Sequence, residues 1–250
     1  MSEVQQVQRV ALVTGGCGGI GSAICQRLAA DGFRVATNYR DEAKALKWQQ
    51  EMKKQGVDSA IYKADVAEFD QCQQMISAVE KDFGRLDVIV NNAGITRDTT
   101  MRKMEKSQWD DVICTNLDSV FNVIRPALNG MIERGYGRII NVASINGQKG
   151  QIGQTNYSAA KAGMHGFTKA LAQEVANKGI TVNTVSPGYI ATEMVMAVPE
   201  AIRDKIIAQI PVGRLGRPEE IAAAIAYLVS DEAAFITGSD LSINGGQYMH

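Results

Sequence analysis

The chain is poor in the residues that build metal sites and disulfide frameworks. It contains only two histidines, His165 and His250, and four cysteines, none of which shows C-x-x-C spacing. This composition argues against a structural zinc site and against a disulfide-stabilised scaffold. We therefore expect a protein of a reducing compartment that carries no metal.

The chain also lacks a strong charge and a long apolar run. Its formal net charge is −1, so no global field attracts nucleic acid or an anionic membrane. It contains no run of 18 apolar residues, and the first ten residues, MSEVQQVQRV, hold no apolar segment of signal-peptide length. We expect a cytoplasmic protein that binds neither membranes nor nucleic acid.

What the chain does contain is a regular alternation of short β-branched runs and segments with helical periodicity. Helices are predicted over residues 20–30, 68–82 and 218–230, among others. Strands that alternate with such helices predict an α/β fold with a parallel sheet covered on both faces. No linker or repeat interrupts the pattern, so we expect one domain over residues 1–250. The predicted strands are 10–14, 33–38, 60–65, 86–91, 137–144, 180–186 and 240–243.

A glycine-rich turn follows the first predicted strand and precedes the first predicted helix. Gly15, Gly19 and Gly21 form a G-x-x-x-G-x-G pattern, with Ile20 inside it. Glycine lets the backbone approach a pyrophosphate, and the helix N-terminus offers free N–H groups to the anion. The context indicates a dinucleotide site, although glycine turns also serve packing alone.

The end of the second strand bears on which dinucleotide binds. Residues 38–40 contain no acidic side chain to accept hydrogen bonds from a ribose 2′-hydroxyl. Arg40 offers instead a guanidinium that suits a 2′-phosphate, which favours NADPH over NADH. The alternative is that Arg40 is a solvated residue at a helix start. Further candidate cofactor contacts follow the third and fourth strands: Asp65, Val66, Asn92, Ala93 and Gly94.

Three reactive side chains surround a soft polar loop. Ser144 ends the fifth strand, and Tyr157 and Lys161 are spaced so that a helix places both on one face. We expect the Lys161 ammonium to stabilise the phenolate and to lower the pKa of Tyr157, which makes the pair a general acid and base. Ser144 would hold a substrate carbonyl oxygen, where negative charge develops during reduction.

Two further features have two interpretations each. Asn116 lies within a predicted helix, where an amide either supports a water or a backbone kink near Lys161 or is a satisfied core residue. Residues 189–211 follow a strand end and show weak helical periodicity. This segment is either a substrate lid or a surface helical excursion.

Taken in order, these motifs resemble the short-chain dehydrogenase/reductase family over nearly the whole chain. The resemblance implies a single-domain Rossmann fold with a doubly wound seven-stranded parallel sheet, a nicotinamide cofactor, and catalysis by Asn116, Ser144, Tyr157 and Lys161. It also implies that Tyr157 and Lys161 contact the cofactor, together with Pro187, Gly188 and Ile190. Arg40 matches the pattern of the NADPH-preferring members of the family. Those members also have a basic residue in the glycine loop, which this chain lacks.

Within the family, residues 94–98, 147–157 and 181–192 are similar to the reductases that convert acetoacetyl-CoA to (R)-3-hydroxybutyryl-CoA for polyhydroxybutyrate synthesis. The similarity implies that Gln148, Gln151 and Tyr189 line the acyl-CoA pocket. Members of the wider family are usually tetramers, which implies a homotetramer here. Residues 211–216 and 230–238 are equally like the 3-oxoacyl-ACP reductases of fatty-acid synthesis, the first alternative. A dinucleotide sensor without activity is a remote alternative, because a sensor need not keep Ser144, Tyr157 and Lys161.

Overall fold

The computed structural model describes residues 8–249, so His250 and most of the N-terminal segment used to predict the compartment lie outside the described residues. The predicted strands are confirmed, with ends shifted by a few residues. They are β1 (Val10–Val13), β2 (Arg34–Tyr39), β3 (Ser59–Lys63), β4 (Val88–Asn91), β5 (Gly137–Val142), β6 (Ile180–Pro187) and β7 (Asp240–Ile243).

Helices connect the strands, as the periodicity predicts. Those between β1 and β5 are α1 (Gly19–Ala30), α2 (Glu42–Lys54), α3 (Phe69–Phe83), α4 (Lys106–Ile113) and α5 (Ser119–Arg134). Those after β5 are α6 (Ile145–Lys149), α7 (Thr155–Val175), α8 (Glu193–Met196), α9 (Glu200–Ile207) and α10 (Pro218–Val229).

The strands form one parallel sheet in the order β3-β2-β1-β4-β5-β6-β7. The chain builds outward from β1 to β3 and then returns to the other side of β1 with β4. The carboxyl ends of β1 and β4 therefore form the switch point of the sheet, where ligands of doubly wound folds bind. The Rossmann fold that the resemblance implies is confirmed.

Alternate residues of each inner strand pack on opposite faces of the sheet. In β1, Val10 and Leu12 belong to the cluster under α3, α5 and α7, whereas Ala11 and Val13 belong to the cluster under α1 and α10. All four side chains are fully buried. Because both faces are covered, the inner strands are continuous apolar runs, and this rigid layer fixes the loops at its carboxyl edge.

The segment over residues 189–211 differs from the rest of the chain. It contains the two short helices α8 and α9, and none of the described α9 residues is buried. Ile190 pairs with Gly216 as an isolated bridge, which fixes the start of the segment to the loop before α10. Among residues 8–249, no helix combines the length and apolarity needed to cross a membrane.

Candidate active site

A cleft of about 650 Å³ opens at the carboxyl edge of the sheet, at the switch point. It is lined by the ends of the strands β1, β2, β4, β5 and β6 and by the loops that follow them. The structure brings together in this cleft most of the residues predicted for cofactor and catalysis. These are Gly15, Gly19, Ile20, Gly21, Arg40, Asp65, Val66, Asn92, Ala93, Gly94, Ser144, Tyr157, Lys161, Pro187 and Gly188.

The glycine turn has the shape that a bound pyrophosphate requires. Gly15 adopts a φ of 65°, a left-handed conformation that other residues rarely take. A side chain at Gly21 would collide with the carbonyl oxygen of Gly15. The helix α1 then begins with Gly18 as its N-cap, and within the described residues no side chain caps it. Its first amides therefore remain available to an anion, so these residues fit a dinucleotide.

Two polar side chains that the sequence analysis did not single out hold this turn. The Oγ1 of Thr14 accepts hydrogen bonds from the backbone N–H groups of Asn92 (3.0 Å) and Ala93 (3.1 Å). The Oδ1 of Asn38 accepts from the N–H of Gly15 at 2.9 Å, and its Nδ2 donates to the carbonyl of Ala64 at 2.9 Å. Polar residues at the carboxyl ends of otherwise apolar strands were the available signal. Asn38 therefore links the glycine turn to the end of β3.

The outer end of the cleft carries Arg40 and Asp65. The Nη1 of Arg40 lies 3.5 Å from the Oδ2 of Asp65, and the Arg40 side chain remains 61% exposed. Lys44 lines the same end, while Asp41 accepts a hydrogen bond from the Lys44 N–H at 3.1 Å and so caps α2. An exposed guanidinium held loosely by one carboxylate is free to turn towards an incoming phosphate.

The reactive groups converge as the sequence predicts. Ser144 is the N-cap of α6, where its Oγ accepts from the N–H of Asn146 at 3.1 Å, and its side chain is close enough to the hydroxyl of Tyr157 to influence the pKa of that phenol. Tyr157 and Lys161 lie one turn apart on α7, with the Nζ of Lys161 5.6 Å from the centre of the Tyr157 ring. Strand β5 and helix α7 thus place an acid, a hydroxyl and an amine side by side.

The expected lowering of the pKa of Tyr157 is not what the structure shows. Burial raises the pKa of this phenol, the side chain of Ser144 opposes that change, and the negative charge of Asp98 adds to it. Lys161 does not lower the pKa of Tyr157, and the pKa of its own amine is lowered to about 7, so that near neutral pH much of it carries no charge. In this state Tyr157 is a protonated phenol, ready to donate a proton.

Lys161 is buried, with 3% of its surface exposed. Burial lowers the pKa of its amine from 10.5 to about 7, because the charged form loses its hydration. Its Nζ donates a 2.7 Å hydrogen bond to the carbonyl of Val142, the last residue of β5. An amine that titrates near neutral pH can change its protonation state during turnover.

Asn116 lies in a π-helical turn, Cys114–Asp118, between α4 and α5. Its Nδ2 donates to the carbonyls of Ile95 (2.9 Å) and Val112 (2.8 Å), and its Oδ1 accepts from the N–H of Ile95 at 3.2 Å. The predicted distortion of the helix is therefore present. Asn116 is also a satisfied buried amide that fixes the backbone beside Gly94. It is therefore both at a distortion of the helix and a core residue with its hydrogen bonds made.

Two of the predicted contacts point elsewhere. The Nε2 of Gln148 donates to Asp240 and to Ser242 of β7, both at 2.6 Å, which turns this amide away from the cleft. Ile190 is buried in the apolar cluster under α1 and α10. These positions do not support the substrate contact expected of Gln148 or a side-chain contact of Ile190 with the cofactor, because partners distant in sequence determine both orientations.

The other two predicted substrate residues lie outside the cofactor cleft. The Oε1 of Gln151 accepts from the Nζ of Lys149 at 3.2 Å on a surface turn. Tyr189 lines a separate cavity of about 210 Å³ beneath the 189–211 segment. Burial raises the pKa of its hydroxyl, the charge of Asp98 raises it further, and the side chain of Asn146 opposes this change.

A polar chain that sequence reasoning missed joins Tyr189 to the catalytic loop. Asn146 donates to Gln154 at 2.9 Å, and Gln154 donates to Asp98 at 2.7 Å. Thr192 and Glu193 also line the cleft, and a side chain at Gly19 would contact Thr192. The only signal for these residues was their position in polar loops after strands.

Comparison with known proteins agrees with this geometry. The sequence model of the family described as enoyl-(acyl carrier protein) reductase matches residues 15–248. The chain is 57% identical to an acetoacetyl-CoA reductase of Cupriavidus necator, an alignment that covers 97% of this chain and 99% of that protein. Identity is also 57% to an acetoacetyl-CoA reductase of Rhizobium meliloti, with the same coverage.

A second kind of relative matches at lower identity. The chain is 46% identical to a 3-oxoacyl-[acyl-carrier-protein] reductase of Staphylococcus aureus over 98% of this chain and the whole of that protein. The full-length matches, the seven-stranded sheet and the glycine turn agree with one another. The chain belongs to the short-chain dehydrogenase/reductase family.

Proposed function

We propose that this protein reduces acetoacetyl-CoA to (R)-3-hydroxybutyryl-CoA, with NADPH as the reductant and Tyr157 as the proton donor. The observation that carries the proposal is the contact of Ser144 with the Tyr157 hydroxyl in the cleft that the glycine turn opens. The choice of acetoacetyl-CoA as the substrate rests on the relatives, which are named acetoacetyl-CoA reductases. The (R) configuration and the role in polyhydroxybutyrate synthesis come from the family resemblance.

The residues of the chain divide the work of reduction between them. NADPH, when bound, supplies the hydride that adds to the C3 carbonyl carbon. The hydroxyls of Ser144 and Tyr157 hold the carbonyl oxygen, and Tyr157 gives it a proton as negative charge develops there. The amine of Lys161 has a pKa of about 7, so it can supply a proton that restores the hydroxyl of Tyr157 after the transfer.

The remaining groups position these three. Asn116 fixes the backbone at Ile95, next to Gly94 of the cleft wall. The residues of the glycine turn and the first turn of α1 hold the pyrophosphate, and Asp65 and Val66 border the adenine. Gln151 and Tyr189 are the proposed contacts of the acyl-CoA. We also propose that residues 189–211 act as a lid, because Thr192 approaches Gly19 across the cleft.

The preference for NADPH rests on Arg40. Replacing Arg40 with alanine is expected to raise KM for NADPH roughly tenfold or more, because a charge-assisted hydrogen bond to the 2′-phosphate is lost. KM for NADH should change less than twofold, within about 0.4 kcal/mol. Steady-state kinetics with both cofactors make the measurement.

The matched control is Lys47→Ala, which removes an equal charge from the exposed side of α2. It should leave both KM values unchanged. An equal rise for NADPH and NADH in the Arg40 variant would contradict the assignment of Arg40 to the phosphate.

The subunit number follows from the family resemblance, and the compartment follows from the composition of the chain. We propose a cytoplasmic homotetramer of single-domain subunits. All four cysteines are free thiols, which suits a reducing compartment.

The product tests the proposal. Incubation with acetoacetyl-CoA and NADPH should give 3-hydroxybutyryl-CoA of the (R) configuration, identified by chiral chromatography after hydrolysis of the thioester. Formation of the (S) product, or of none, would contradict it. The alternative, reduction of 3-oxoacyl-ACP, rests on the relative from Staphylococcus aureus.

A further inference from the structure

A largely buried polar junction lies between β7 and the helices that carry the catalytic groups. Its centre is the carboxylate of Asp240, the first residue of β7, whose side chain is 16% exposed. The Nε2 of Gln148 in α6 donates to the Oδ2 of Asp240 at 2.6 Å, and the Oγ of Ser186 in β6 donates to its Oδ1 at 2.7 Å. The Nδ1 of His165 in α7 lies 3.4 Å from the same Oδ2. We call these four side chains the Asp240 junction.

The face of the sheet that carries the junction changes from apolar to polar towards the carboxyl edge. Val182 of β6 belongs to the apolar cluster under α3, α5 and α7. Further along this face, Thr184 pairs in register with Asp240 of β7. Ser186 then pairs with Ser242. Polar side chains on an apolar layer need hydrogen-bond partners, and Asp240 takes its partners from elements that also form the active site.

The contact with Gln148 acts on the short helix that begins at a catalytic residue. Helix α6 has five residues, and Ser144 is its N-cap, one turn before Gln148. A helix of this length has little stability of its own, so its tertiary contacts determine its position. The Nε2 of Gln148 supplies two of them, to Asp240 and to the Oγ of Ser242, each at 2.6 Å. A displacement of Gln148 would therefore also displace Ser144.

The junction also meets α7 and β6 within one turn of the active site. A Cβ added at Gly147 would lie 2.8 Å from the carbonyl carbon of Lys161, so α6 rests directly on α7 at this point. His165 follows Lys161 by one helical turn. Ser186 directly precedes Pro187, which lines the cofactor cleft. One carboxylate thus connects the three elements that bring catalytic and cofactor-binding residues together.

The carboxylate also determines which way the amide of Gln148 points. A carboxylate only accepts hydrogen bonds, so the amide has to present its Nε2 to Asp240. The Oε1 of Gln148 is buried and has no hydrogen-bond partner within residues 8–249. Leaving a buried acceptor unpaired costs free energy, so the bond to the charged carboxylate outweighs that cost.

We propose that Asp240 is a positioning residue for the reduction, because it holds Gln148 and so fixes Ser144 at the N-terminus of α6. Ser144 then stays aligned with the hydroxyl of Tyr157. The inference rests on the proposed function, in which these two hydroxyls hold the carbonyl oxygen. Asp240 is not among the described residues that line the cofactor cleft, so it acts through Gln148 and not on the reactants. Misplacement of a catalytic group by about 1 Å can lower a rate by about 10²-fold.

The first variant places a second carboxylate against Asp240. Gln148→Glu keeps the size of the side chain but replaces the donor with an acceptor, so the two groups repel each other above neutral pH. There, kcat for the reduction of acetoacetyl-CoA should fall roughly tenfold or more. KM for acetoacetyl-CoA and Kd for NADPH should stay within about twofold. The matched control is Gln173→Glu, which adds the same charge at an exposed position of α7 and should change none of these values.

The second variant restores the contact with donor and acceptor exchanged. When Asp240→Asn is added to Gln148→Glu, the introduced amide can donate to the introduced carboxylate and its oxygen can still accept from Ser186. We expect kcat to return to within about threefold of the wild type. A side chain that only fills space would not give this rescue, because both substitutions conserve volume.

The outcomes separate this inference from the proposed function. A wild type that reduces acetoacetyl-CoA, together with unchanged kcat in Gln148→Glu or no rescue by Asp240→Asn, would overturn the positioning role alone. Failure of the wild type to reduce acetoacetyl-CoA would overturn the proposed function. Titration with NADPH needs no turnover and shows whether each variant is folded. If Gln148→Glu does not fold, Gln148→Met removes the donor without adding charge, and an unchanged kcat in that variant would equally contradict the inference.

Discussion

Replacing Tyr157 with phenylalanine is expected to lower kcat for the reduction of acetoacetyl-CoA by about 10³-fold or more. The change removes the buried hydroxyl beside Ser144 and leaves the ring in place. Binding of NADPH should stay within about twofold of the wild type, because the glycine turn and Arg40 are untouched. Single-turnover kinetics and a fluorescence titration of NADPH measure the two effects.

The matched control for this variant is Tyr227→Phe. Tyr227 is 46% exposed on α10 and is not among the residues that line the cleft. Its loss of a hydroxyl should leave kcat and the affinity for NADPH unchanged. A Tyr157→Phe enzyme with near-normal kcat would show that another group supplies the proton.

Replacing Lys161 with methionine is expected to lower activity strongly and to change how stability depends on pH. Methionine fills the same buried space but removes the amine, so the proton supply to Tyr157 is lost. Reduction should fall by about 10²-fold or more. The variant also loses the hydrogen bond to the Val142 carbonyl, which costs about 1–3 kcal/mol of the free energy of unfolding.

The sign of the pH dependence follows from the pKa of Lys161. Its value in the folded protein, about 7, lies below the ordinary 10.5, so between these values the unfolded chain binds the extra proton. The free energy of unfolding of the wild type therefore rises with pH across this window, by up to about 1.4 kcal/mol per pH unit. The variant lacks this rise, so its stability relative to the wild type is highest at pH 7 and below and falls as pH increases.

Urea unfolding at several pH values from 6.5 to 9.5 measures this difference. The control is Lys169→Met, an exposed lysine two turns further along α7, whose stability should follow the wild type at every pH. Parallel curves for wild type and Lys161→Met would mean that the folded protein does not lower the pKa of this amine.

The local sequence pattern was sufficient to predict the strands, the helices and the parallel sheet. Each strand is a short β-branched run with a turn beyond it, and the alternation with helices permits only a parallel sheet covered on both faces. Because parallel strands share a carboxyl edge, Gly15, Asn92 and Ser144 had to meet there. The spacing of Tyr157 and Lys161 then placed both beside Ser144.

The directions of side chains in the loops could not be predicted from the local sequence pattern. Gln148 belongs to the same loop as Ser144, yet its partners, Asp240 and Ser242, lie more than 90 residues away. Ile190 follows Pro187 and Gly188 but turns into the core under α1 and α10. Both directions depend on which element happens to pack nearby, and the spacing of residues carries no information about that.

Electrostatics in the site depended equally on the three-dimensional structure. A lysine next to a tyrosine predicts a lowered phenol pKa if the lysine keeps its charge in solvent. The burial of Lys161 changes that premise, because it lowers the pKa of the amine itself. The degree of burial follows from the packing of α7 against β6 and α6 and not from the motif.

The most direct measurement is the initial rate of NADPH oxidation with acetoacetyl-CoA and with acetoacetyl-ACP, each over a range of concentrations. We predict a higher kcat/KM for the CoA ester, by roughly tenfold or more, and loss of both rates in Tyr157→Phe. A clear preference for the ACP thioester would place the protein in fatty-acid elongation. Absence of oxidation with both thioesters would contradict the reductase assignment itself.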